Sequence, residues 1–210
     1  MNADAMVIVF AKAPVPGSVK TRLIPTLGAN HAAMLHAALV ERALLTAARS
    51  QADVLLACTP SIDEHFFVEC GEDFDIDLTS QGEGDLGERM LRALNAALKS
   101  HSRAAIVGAD CPAVTARHID TALAALSTHD VSIIPAEDGG YVLIAARRIH
   151  AAMFAGIAWG TDTVMAQQRR ALAAVGLSLH ESAPLWDVDR PDDLAQLKAL
   201  KPPLAYSWPD

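Results

Sequence analysis

Cysteine is scarce in this 210-residue sequence, and its three copies, Cys58, Cys70 and Cys111, form no CxxC pair. A sparse, odd set without a secretion signal argues against a disulfide framework and fits reduced thiols in the cytoplasm. None of the eight histidines falls in an HxH or HExxH pattern, so a structural zinc site is not expected. Basic charge is in deficit: 17 Lys and Arg face 25 Asp and Glu, a formal net charge of −8. Such a surface repels nucleic-acid polymers and anionic membranes, and it admits a small anion only where local cations overrule the global field. Long hydrophobic runs are missing too. The one near the N-terminus, in MNADAMVIVFAKAP, is short, follows Asp4 and is closed by lysine and proline, so it reads as a buried strand rather than a signal peptide or membrane span. Aromatics amount to 5%, and much of the 51% apolar content is alanine, which favours closely packed helices. That apolar fraction, with 20% charged residues, excludes disorder and collagen-like repeats. No internal repeat or low-complexity linker breaks the chain, and residues 1–210 are expected to form one domain.

What is present is alternation. Val7–Ala11 is a continuous apolar run, as expected of a strand covered on both faces. A helix is expected from Ala29 to Ser50, where Leu35, Leu39, Ala43 and Ala47 recur every four residues. Strand-like runs follow at Val54–Cys58 and, after a short segment, at Phe74–Thr79. Leu86, Met90, Leu94 and Leu98 mark a helix, Ala104–Ala109 a strand, and Ile119, Leu123 and Leu126 one face of another helix. Val131–Pro135 and Tyr141–Ala146 read as strands, Thr163–Val175 and Pro191–Leu200 as helices. The pattern argues an α/β fold, a three-layer sandwich around a mostly parallel central sheet. Ligands of such sheets sit beyond the carboxyl ends of the strands, so the residues just after each apolar run are the ones to inspect.

Two common phosphate loops are missing from the first of these places. The segment from Lys12 to Arg22, KAPVPGSVKTR, lacks GxGxxG, and Pro14 and Val19 occupy the glycine positions that a P-loop needs. A proline-stiffened loop with Lys12, Lys20 and Arg22 remains, suited to a di- or triphosphate or equally to a solvated basic loop. Ala104–Ala109 delivers Asp110, followed by Cys111 and Pro112, where a carboxylate ligates Mg²⁺ or Mn²⁺ or simply closes a turn. Asp187 and Asp189 share one face of an extended backbone, although Asp189 is also a candidate N-cap for the helix begun by Pro191. Asp138-Gly139-Gly140 reads as a hairpin turn, and Trp159 to Thr163 as a helix start with a packed indole.

The ordered set FAKAPVPGSVKTRLIP, QGEGDLGERM, GADCP, PAEDGGYVLIAA, WGTDTV and DVDRPDDL, running from Met6 to about Leu200, resembles the GT-A or nucleotide-diphospho-sugar transferase superfamily. It is most similar to a bacterial glycosyltransferase-like family, formerly a domain of unknown function and associated by name with arsenosugar biosynthesis. The resemblance implies a GT-A fold and a nucleotide or nucleotide-sugar donor, with Lys12, Lys20 and Arg22 at its phosphates. It places Gln81, Gly82 and Asp85 at the base or ribose, and Asp138, Gly139, Gly140, Tyr141 and Trp159 on the side of a small-molecule acceptor. It further implies Mg²⁺ or Mn²⁺ held by Asp110 and Asp189, with Asp187 the near alternative, and a catalytic set of Lys20, Asp110 and Asp189. The second acid of the usual DxD motif is absent after Asp110. The expected activity is metal-dependent glycosyl transfer from a nucleoside-diphosphate sugar to a small acceptor; the alternatives are guanylyltransferase-like nucleotidyl transfer to a phosphorylated small molecule and, from another class, nucleotide binding without turnover.

Overall fold

In the computed structural model, which describes residues 4–209, seven strands form one sheet in the order β3-β2-β1-β4-β6-β5-β7. They are β1 (Ala5–Lys12), β2 (Asp53–Thr59), β3 (Asp77–Ser80), β4 (Arg103–Gly108), β5 (Val131–Pro135), β6 (Tyr141–Ala146) and β7 (Leu179–Glu181). All neighbours run parallel except β6, which is antiparallel to both β4 and β5. The helices are α1 (Ile24–Leu27), α2 (Ala29–Ala47), α3 (His65–Phe74), α4 (Leu86–Ala97), α5 (Ala116–Ala125), α6 (Val164–Ala174) and α7 (Asp193–Lys198).

Side chains along β1 alternate between two cores, which is why its apolar run is unbroken. Val7 and Val9 pack with Val40 and Leu44 of α2, Phe67 of α3 and Ile119 of α5. Ile8 faces the other way, among Leu94 of α4 and Met165 and Leu172 of α6. A third, smaller cluster joins Leu23 and Leu27 to Leu35 and Leu39 of α2 and to Val188, Leu194 and Leu197. It pins the C-terminal segment beside the loop that follows β1.

The expected strands and helices are present, with four departures, of which α1, a helix of four residues ahead of the expected one, is the first. The short segment after β2 contains α3, and Phe74 closes that helix instead of opening β3. Only Phe67 and Cys70 of its ten residues are buried, so the apolar period is faint. β7, three residues long, gives too little alternation to be read. The final helix begins at Asp193 rather than Pro191. Among the described residues no helix is long and apolar enough to cross a membrane.

Candidate functional site

A cleft of about 470 Å³ opens at the carboxyl edge of β1 and β4, lined among others by Lys12, Arg22, Gln81, Asp110, Asp138 and Asp187. Beside it lie a hollow of about 330 Å³ toward Glu137, Asp162 and Asp193 and one of about 320 Å³ under the Ser18–Arg22 loop. The strand order brings the first two arms together, since β1 and β4 are neighbours and end side by side. The third arm is tied on by backbone: Val188 N–H donates to the Asp110 carbonyl at 2.9 Å. Asp110, Asp187 and Asp189 therefore converge, although 77 or more residues separate Asp110 from the other two in the chain.

Lys20 holds this junction. Its backbone sits in the left-handed region at φ 47°, and its ammonium lies 2.5 Å from Asp110 Oδ1 while donating to the Val188 carbonyl at 2.6 Å. The Lys20 side chain is 4% exposed and Asp110 53%. Asp110 thus keeps an open side toward the cleft. Its surroundings push the carboxyl upward, but the Lys20 charge and His36 outweigh them and hold it below the usual carboxylate range. Arg22 is the opposite case, 61% exposed and ion-paired with Asp189. Lys12 donates to the Ser18 carbonyl at 2.9 Å and so closes the proline loop on itself.

The two late aspartates differ. Burial, then the charges of Asp138 and Asp110, push Asp187 up to about 6. Asp189 does not cap α7. Asp193 Oδ2 accepts from the backbone N–H groups of Asp189 and Arg190, at 2.8 and 2.6 Å, and holds that turn. No group of three or more His, Cys, Asp or Glu side chains is set to close on an ion among the described residues. Asp110, open to the cleft, and the half-buried Asp187, raised in part by the charge of Asp110, nonetheless suit a hard cation that takes its remaining ligands from phosphate and water.

Gln81 is buried, and its amide donates to the carbonyls of Ala11 and Ala57 at 3.0 and 2.9 Å, bracing the ends of β1 and β2 beneath the cleft. Gly82 and Asp85 are not in the lining. Asp85 is the N-cap of α4, in a capping box with Glu88. Gly140 and the ring of Tyr141 line the cleft, with the Tyr141 hydroxyl turned inward toward Gln168 at 3.4 Å. Gly139 lies behind them, against the backbone of Asp162. Trp159 meets Tyr141 edge to face, ring centroids 6.2 Å apart.

Sequence reasoning missed His36 and the sulfur of Cys111. His36 is buried on α2, its Nε2 is 2.9 Å from the Lys12 carbonyl, and its Nδ1 is 3.8 Å from Asp110 Oδ1 without a hydrogen bond. A carbonyl only accepts, so Nε2 carries the hydrogen, and burial lowers the ring's pKa. The available signal was a histidine on the buried face of α2, between Ala32 and Leu39. Cys111 donates to the Trp186 carbonyl at 3.0 Å, and burial pushes its thiol up to about 12, which makes it a tether rather than a nucleophile.

Residues 43–161, more than half of the chain, match the family described as uncharacterized protein conserved in bacteria (DUF2064). No curated protein matches. Among solved structures, a Desulfovibrio desulfuricans G20 protein provisionally named a nucleotide-diphospho-sugar transferase superposes with TM-score 0.86 at 29% identity, over 95% of this chain and 89% of that one. The 4-diphosphocytidyl-2C-methyl-D-erythritol synthase of Anaerococcus prevotii DSM 20548 gives 0.62 at 11% identity, over 93% and 96%. A cytidylyltransferase from Leptospira borgpetersenii gives 0.59 at 12%, over 94% and 86%. This chain therefore belongs to the DUF2064 family and has the nucleotide-diphospho-sugar transferase fold.

Proposed function

We propose that this transferase moves a glycosyl group from a nucleoside-diphosphate sugar to a hydroxyl of a small acceptor. The observation that carries the reading is the uneven charge of the cleft and its adjoining hollow. Lys12 and Arg22 reach the cleft from the proline loop, whereas in the hollow the carboxylates of Glu137, Asp138, Asp162, Asp187, Asp189 and Asp193 outnumber the cations Arg22 and Arg190. Cations suit the donor's diphosphate. An acidic acceptor hollow repels a phosphorylated acceptor, which guanylyltransferase-like transfer to a phosphate needs, and tolerates a neutral hydroxyl compound.

Asp110 and Asp187, with Asp189 beside them, would hold Mg²⁺ or Mn²⁺, which would supply neutralisation of charge on the departing diphosphate. The acceptor oxygen attacks the anomeric carbon, the bond from that carbon to the diphosphate oxygen breaks, and the nucleoside diphosphate leaves with the electron pair. The acceptor's proton passes to a carboxylate on the acidic side, where Asp138 is placed beside Asp187. Lys12 and Arg22 orient the diphosphate, and Lys20 keeps Asp110 ionised and in place. The rings of Tyr141 and Trp159 offer apolar faces for a sugar.

The test is a matrix of nucleotide sugars and nucleoside triphosphates with Mg²⁺ or Mn²⁺, reading released nucleoside diphosphate and released pyrophosphate separately. Nucleoside diphosphate release from a sugar donor supports the reading. Pyrophosphate release from a triphosphate with a phosphorylated acceptor would replace it by nucleotidyl transfer. Donor binding without any release would leave a binding module.

A further inference from the structure

The two ion pairs of the cleft differ in kind, and the difference has a consequence for metal binding. Lys20–Asp110 is sunk into the protein, with the lysine also bonded to the Val188 carbonyl. Arg22–Asp189 is open to solvent, and Asp189 is the single hydrogen-bond partner that Arg22 has among the described residues. We propose that Arg22 is a resident counter-ion that withholds Asp189 from a divalent metal until the donor's diphosphate draws the guanidinium away. The identity of that anion rests on the transferase reading above; the competition between Arg22 and a metal for Asp189 does not.

Several features make the exchange favourable. An exposed pair of this type is held by little net energy, and the long arginine side chain is free to move. The guanidinium fork matches a phosphate at least as well as a carboxylate, and a diphosphate carries more charge. Arg22 lines the main cleft and both adjoining hollows, so it can reach an anion without leaving the site. When it goes, Asp189 keeps its place, because Asp193 Oδ2 still accepts from the Asp189 and Arg190 backbone N–H groups. One internal ion pair is thereby replaced by two pairs with ligands, guanidinium to phosphate and carboxylate to metal. Metal and diphosphate then assist each other, and the coupling is reciprocal. The device would make Arg22 a specificity-determining residue that disfavours free metal and favours the metal–diphosphate pair.

The experiment is a titration with Mn²⁺ alone, free metal read by electron paramagnetic resonance, on the whole chain without nucleotide. Arg22→Gln should bind Mn²⁺ about fivefold more tightly than wild type, the loss of one exposed pair. The gain should vanish in the Asp189→Asn background, and Lys12→Gln, which removes a neighbouring cation but frees no carboxylate, should give a smaller one. Far-ultraviolet circular dichroism confirms that each variant is folded. Unchanged or weaker Mn²⁺ binding by Arg22→Gln overturns the proposal. A gain that persists in Asp189→Asn, or is matched by Lys12→Gln, overturns it too, as through-space repulsion only. If wild type fails to bind any of the four ribonucleoside diphosphates with Mn²⁺, the transferase reading falls while the metal-alone comparison still decides the competition.

Discussion

At the scale of single residues, Lys20 and Arg22 lie two positions apart and do different work. The sequence shows two cations in one loop; burial separates them. Lys20→Met leaves the Val188 carbonyl and Asp110 without their donor, so urea unfolding should show a loss of about 1.5–3 kcal/mol. Arg22→Ala removes an exposed side chain and should change stability by no more than about 0.5 kcal/mol while weakening nucleotide binding, most visibly at low salt. Equal stability losses would contradict this division. Asp189 follows the same logic. Since Asp193 rather than Asp189 bonds the turn before α7, Asp189→Asn and Asp189→Ala should be equally stable, and both should lose metal-dependent donor binding. A capping role would instead separate the two variants, with Ala alone losing about 0.5–2 kcal/mol.

The elements around the cleft were legible where chemistry and periodicity coincide. The apolar runs Val7–Ala11 and Ala104–Ala109 pointed to Lys12 and Asp110 because each run stops at that polar residue, at or just past the end of β1 and β4. Asp85 and Glu88 have the D-x-x-E spacing of a capping box, so the structural use of Asp85 could have been read from sequence. Contact between loops could not. The turn between β5 and β6 rests on the loop before α6: Gly139 has φ +94°, a Cβ there would come within 2.2 Å of the Asp162 carbonyl oxygen, and Met165 N–H donates to the Gly139 carbonyl at 2.8 Å. Gly139→Ala should therefore push the hairpin off its neighbour, costing about 1–3 kcal/mol in thermal or urea unfolding and disturbing the proposed acceptor side beside Asp138. A variant with wild-type stability and donor turnover would show that the two loops are not mutually dependent.

For the molecule as a whole, strand and helix alternation indicated the layers but not the strand order. β6 enters between β4 and β5 and runs against both, a placement decided by long-range pairing that leaves no local trace. The convergence of Asp110 with Asp187 and Asp189 was legible only through the ordered motifs, whereas His36 and the Lys20 bridge required coordinates. At the other end of the sheet, pairing depends on a buried charge. Asp130 immediately precedes β5 and is 5% exposed. It accepts from Ser178 before β7, through N–H at 3.1 Å and Oγ at 3.0 Å, and from Arg147 after β6 at 3.2 Å, so one carboxylate joins three strand ends. The Ser178 backbone bond, with Arg147 and Arg148 assisting, holds Asp130 below its ordinary value of 3.8. A lowered folded pKa gives stability that is complete above the unfolded value and disappears as pH falls through the folded one. Asp130→Asn should therefore cost about 2 kcal/mol at pH 7, because the arginines keep their charge and lose its partner. The gap between wild type and variant, followed by urea midpoints, should narrow steadily as pH falls below 3.8. A gap independent of pH would mean that packing, not the ionised carboxylate, secures this corner of the sheet.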